Sequence, residues 1–131
     1  MAHTILVVDD DPHVVRIVEI NLTQEGHAVR TAGDGEAALA AVAQERPDLL
    51  ILDVTMPKLD GFETLKRLKA DPAAAQIPVL MLTARAEDED VFEGYGTGAQ
   101  WYLTKPFEPG ELRRVVRHLL ERGSDEAGSG S

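Results

Sequence analysis

The stretch ILVVDDDPHVV (residues 5–15) runs four aliphatic residues straight into three consecutive acids, Asp9, Asp10 and Asp11. Ile5 to Val8 has no polar alternation, as expected of a strand buried on both faces. Asp11-Pro12 reads as a helix N-cap followed by proline at the first helical position. Val14, Val15, Ile17, Val18 and Leu22 then recur at helical spacing, and Gly26 is the expected stop. A buried strand that ends in like charge needs something to offset the repulsion, so these acids raise a functional question at once.

The same unit recurs along the chain. His27 to Thr31 reads as a more polar edge strand, and an alanine-rich helix spans Glu36 to Glu45. Leu49 to Leu52 is a buried strand that again ends in an acid, Asp53. Asp60-Gly61 is a turn before a helix lined by Phe62, Leu65 and Leu68. Val79 to Leu82 is a fourth strand ending at Thr83, followed by an acidic helix around Glu87 to Glu93. Trp101 to Leu103 is a fifth strand, leading to Lys105-Pro106 and a last helix from Pro109 to Arg122. Five strand-then-helix units predict an α/β fold: a doubly wound, five-stranded parallel sheet with helices on both faces. Residues 1–122 form the expected domain, and the Gly/Ser-rich residues 123–131 the expected flexible tail.

Composition narrows the function. A chain of 131 residues fits one domain. The net charge of −10 argues against direct nucleic acid binding and against an anionic membrane surface. Without cysteine there are no disulfides or thiolate nucleophiles, and the four histidines form no close-spaced ligand set. No membrane span or leader is visible, so the expectation is a soluble, cytoplasmic protein.

In an open α/β sheet, ligands bind beyond the carboxyl ends of the strands. Those ends carry Asp9, Asp10, Asp53, Thr83 and Lys105. Any one of them alone is best read as a polar residue where the chain leaves the core, and Asp11 is read as a cap only. Together, three carboxylates suit a hard divalent cation, Lys105 suits an anion, and Thr83 supplies a hydroxyl. The set reads as a phosphoryl site with one aspartate as nucleophile.

VVDDD, LDVTMPKLDG, MLTAR and YLTKPF, in this order and spacing, resemble the receiver domain of two-component response regulators, the CheY-like family, over roughly residues 3–122. The resemblance implies the flavodoxin-like strand order 2-1-3-4-5. It implies that Asp53 is the phospho-acceptor in a phosphorelay, served by a sensor histidine kinase or phosphotransfer protein. Asp10 would ligate Mg2+ directly (Mn2+ can substitute) and Asp9 mainly through water, with Asp53 and the backbone carbonyl of Thr55 completing the protein ligands. Lys105, aimed by a cis Lys105-Pro106 peptide, would pair with the acyl phosphate. Thr83 and Tyr102 would form the switch, and Ala84 and Arg85 would flank phosphoryl access. The output surface would combine the acidic fourth helix, the fifth strand and the last helix, acting on an output protein or domain.

On that surface, Gln100-Trp101 stands where many winged-helix relatives carry paired acids, and Val91 and Phe92 stand in place of a basic patch. Trp101 on that face is either core-packed or a partner contact; with Val91 and Phe92 it is read as an apolar output contact, and a phosphorylation-dependent dimer is left as an alternative. The protein is expected to catalyse only its own phosphorylation and dephosphorylation. Two rivals stand beside this reading. One is a haloacid-dehalogenase-type phosphatase, whose nucleophile would lie after the first strand. The other is a pseudo-receiver that works without phosphorylation.

Overall fold

The computed structural model describes residues 3–54, 61–84 and 98–129, with side chains through Glu121. The expectations placed on Thr55, Arg85, Val91, Phe92 and the acidic helix around Glu87 to Glu93 lie outside the described residues.

The described elements are β1 (Thr4–Val8), α1 (Pro12–Gln24), β2 (Ala28–Ala32), α2 (Gly35–Gln44), β3 (Leu49–Asp53), α3 (Gly61–Ala70), β4 (Val79–Thr83), β5 (Trp101–Thr104) and a C-terminal helix (Pro109–Ser129). The strands form one sheet in the order β2-β1-β3-β4-β5, and every adjacent pair is parallel. The central strands β1, β3 and β4 read as unbroken aliphatic runs because both their faces are covered. Alternate residues go to opposite sides. Leu6, Val8, Leu50, Leu52, Val79 and Met81 pack with Leu65 and Leu68 of α3 and Val42 of α2. Ile5, Val7, Leu49, Ile51, Leu80 and Leu82 pack with Val18 and Leu22 of α1 and with Leu112, Val116 and Leu119 of the C-terminal helix.

The helix ends follow the chemistry of the sequence. Asp11 caps α1 by accepting from the His13 backbone N–H at 2.9 Å, with Pro12 at the first turn. Asp34 caps α2 by accepting from Ala37 N–H at 2.8 Å. Gly26, at φ +90°, takes the left-handed conformation that ends α1. The C-terminal helix runs to Ser129, past the end expected at Arg122 and into the segment expected to be a flexible tail. Helix extension needs only one backbone bond per residue, and Asp125-Glu126-Ala127 adds no proline to stop it.

The parallel register brings the carboxyl ends of β1, β3 and β4 to one edge of the sheet. Val8 lies beside Leu52, and Asp53 beside Leu82. The residues that leave these strands therefore meet in one crevice.

Candidate functional site

Asp9 follows the last residue of β1, and Asp53 is the last residue of β3. Both are nearly inaccessible, whereas Asp10 is exposed. Carboxylate oxygens of Asp9, Asp10 and Asp53 all lie within 4.8 Å of one another. Lys105, one residue past β5, reaches across the sheet to this cluster. Its Nζ donates to Asp9 Oδ2 at 2.9 Å and to Asp53 Oδ1 at 3.3 Å. Burial opposes the charge on Lys105. The Asp9 hydrogen bond and the charges of Asp53 and Asp9 outweigh it, so the ammonium is held above the usual lysine range.

Part of the charge that offsets the acids at the end of β1 thus comes from the other end of the chain. Among the described residues, one ammonium against three carboxylates leaves a formal excess of two negative charges. That donor set fits a hard divalent cation, which takes one or two carboxylates and completes its shell with water and phosphate oxygens. Both carboxylate oxygens of Asp9 are engaged: Oδ1 accepts from the Asp11 N–H at 2.9 Å while Oδ2 holds Lys105.

The remaining predicted residues occupy distinct positions. Thr83 ends β4 and is fully buried, and its carbonyl accepts from the Lys105 N–H at 2.6 Å. Ala84 is exposed beside it. The Lys105–Pro106 peptide bond is cis. Tyr102 is half-buried against the α2–α3 side of the core. Its neighbour Trp101 emerges on the other side of β5, remains 43 % exposed, and meets His118 of the C-terminal helix edge-on at 5.6 Å.

Two residues had only a local reading in the sequence. Gln100 reads there as a departure in surface charge, yet its Oε1 accepts from Val79 N–H at 2.7 Å and its own N–H donates to Val79 carbonyl at 2.9 Å. It extends the β4–β5 pairing. Gly61 reads as a turn residue, yet it is buried against the backbone of Asp53 and Val54. The Asp-Gly pair ahead of an apolar helix face was the only signal for it.

Fold and site together define a doubly wound α/β protein with an acidic crevice clamped by a lysine at the carboxyl ends of its strands. The chain belongs to the response regulator receiver domain family, whose sequence model matches residues 5–117. Among its relatives, the DNA-binding dual master transcriptional regulator RpaA of Synechocystis sp. is 47% identical over 118 residues, covering 90% of this chain and 49% of that protein. The alkaline phosphatase synthesis transcriptional regulatory protein PhoP of Bacillus subtilis is 44% identical, covering 98% of this chain and 53% of that protein. The crystal structure of chemotaxis response regulator CheY4 of Vibrio cholerae superposes with a TM-score of 0.84 at 35% identity, covering 91% of this chain and 99% of that one.

The chain spans about half the length of the curated relatives it matches. These relatives correct the expectation of no direct nucleic acid binding, since RpaA is itself a DNA-binding regulator. The net charge of −10 is that of these 131 residues, and RpaA is about twice as long as the part that matches them.

Proposed function

We propose that this chain is the phosphorylation-controlled receiver of a transcriptional regulator, acting in the cytoplasm, with Asp53 accepting a phosphoryl group from a phosphohistidine on a sensor kinase. An Asp53 carboxylate oxygen bonds to phosphorus as the phosphorus–nitrogen bond to the imidazole breaks, and the imidazole leaves carrying a proton. The observation that carries this reading is the convergence of Asp9, Asp10 and Asp53 beside a Lys105 that already contacts two of them.

Asp10 and Asp53, with Asp9 behind them and the Thr55 carbonyl as a further donor, would hold Mg2+, which supplies charge neutralisation for the phosphoryl oxygens. Among the described residues, Lys105 is the cation in contact with Asp53, and it would move to the new phosphate. Asp9 keeps it in the crevice meanwhile. Thr83 offers its hydroxyl to a phosphoryl oxygen, and Ala84 keeps the approach open.

Phosphorylation biases a distant surface only through an element with two arrangements. Thr83 and Tyr102 supply it: drawing Thr83 toward the phosphate vacates space for the ring. Trp101, adjoining Tyr102, is the output contact. The match covers about half of RpaA, a DNA-binding regulator, so the output partner proposed here is a DNA-binding module.

The test is labelling by acetyl phosphate. One phosphate per chain, stable in acid and labile in base, is expected with Mg2+ and lost with EDTA. Stoichiometric labelling of Asp53→Asn at another residue would overturn the assignment.

A further inference from the structure

We propose that Gly61 is a positioning residue for Asp53, setting where the acceptor carboxylate stands. The proposal rests on the reading of Asp53 as acceptor and adds a residue that never touches the phosphoryl group. A Cβ at position 61 would lie 2.2 Å from the Asp53 carbonyl oxygen, 2.8 Å from Val54 Cα and 3.0 Å from the Asp53 carbonyl carbon. All three are backbone atoms, so no side-chain rotation relieves the contact.

The strand end is pinned from two sides. Val54 N–H donates to the Leu82 carbonyl at 2.9 Å, tying it to β4. Gly61 N–H donates to the Val54 carbonyl at 2.9 Å, tying it to the first residue of α3. The helix cannot simply back away, because Thr64, Leu65 and Leu68 are buried in the core. Only glycine lets the start of α3 approach this closely. With any side chain, the Asp53–Val54 peptide and α3 must separate by roughly an ångström, and a displacement of that size at a reacting group costs on the order of 10²-fold in rate.

The experiment uses the same chain and acetyl phosphate labelling at saturating donor. Gly61→Ala is expected to label Asp53 at least tenfold more slowly and to need more Mg2+ for half-maximal rate. Leu68→Ala, a buried position at the far end of the same helix, serves as a destabilised control and is expected to keep both values within about twofold once folded. If Gly61→Ala loses its cooperative melt, an ester in place of the Gly61 N–H removes the bond to Val54 without adding a Cβ, and slower labelling with a shifted Mg2+ requirement is again expected. A wild-type rate and Mg2+ requirement in the folded variant, or equal effects in Leu68→Ala, would overturn the proposal. Label that persists in Asp53→Asn would instead overturn the acceptor assignment, so the two failures are distinguishable.

Discussion

Replacing Lys105 by methionine keeps the stem and removes the charge. It leaves the Asp9 side chain, fully buried, and the Asp53 side chain, 6% exposed, without their shared ammonium. Breaking a buried ion pair costs roughly 3–5 kcal/mol, because the partner charge stays buried and uncompensated. Lys105 itself retains some solvent contact, with 21% of its side chain exposed, so the lower end applies, about 3 kcal/mol. For a domain of this size that is a fall on the order of 10 °C in melting temperature. Urea unfolding in EDTA measures it. Adding Mg2+ should recover part of the loss, since a divalent ion substitutes for the missing charge. Asp9→Asn in the Lys105→Met background should also recover stability, giving a coupling of about 1–3 kcal/mol in a double-mutant cycle. A Lys105→Met variant as stable as the parent in EDTA, with no coupling to Asp9, would refute the reasoning.

Other perturbations follow from the same geometry. Asp10→Asn removes an exposed like charge within 4.8 Å of two others, so in EDTA it should stabilise the fold by about 1 kcal/mol, an effect that vanishes in Mg2+ and is read by thermal melts. Trp101→Ala should cost only about 1 kcal/mol, the scale of its edge contact with His118, against roughly 3–5 kcal/mol for a buried aromatic, while weakening the phosphorylation-dependent output; urea melts and an output assay separate the two. His27 has its pKa lowered from 6.5, first by burial and then by His3, and its Nδ1 accepts the His3 N–H at 3.3 Å. The unfolded chain therefore binds more protons below neutrality, the His27 contribution is full above pH 6.5, and it is lost as pH falls through the lowered value. His27→Gln should flatten that part of the stability–pH curve.

The strands and their order of use were legible because burial on both faces leaves an unmistakable aliphatic run, and because the chemistry sits where those runs stop. Ile5–Val8, Leu49–Leu52 and Val79–Leu82 each led directly to a residue of the crevice. Asp11-Pro12 marked a helix start for a local reason, since a cap bonds within three residues of itself. What the sequence did not disclose lies in contacts between distant segments. Lys105 and Asp9 are separated by 96 positions, and nothing in either neighbourhood says that Lys105 approaches Asp9 more closely than Asp53. Gln100 suggested a change in surface charge, but its side chain serves the backbone of Val79. Gly61 suggested a turn, but its missing Cβ makes room for the backbone of Asp53 and Val54. The expectation about nucleic acid failed for another reason: a charge count covers only the residues counted, and the relatives are about twice as long.

Borohydride trapping tests the central claim most directly. An acyl phosphate on an aspartate is reduced to homoserine, which fixes the modified residue by peptide sequencing. After incubation with acetyl phosphate and Mg2+, homoserine is expected at position 53 and nowhere else. Homoserine at position 9 or 10 would place the nucleophile after β1, contradict the receiver mechanism, and favour the phosphatase chemistry that the crowded, doubly bonded Asp9 argues against.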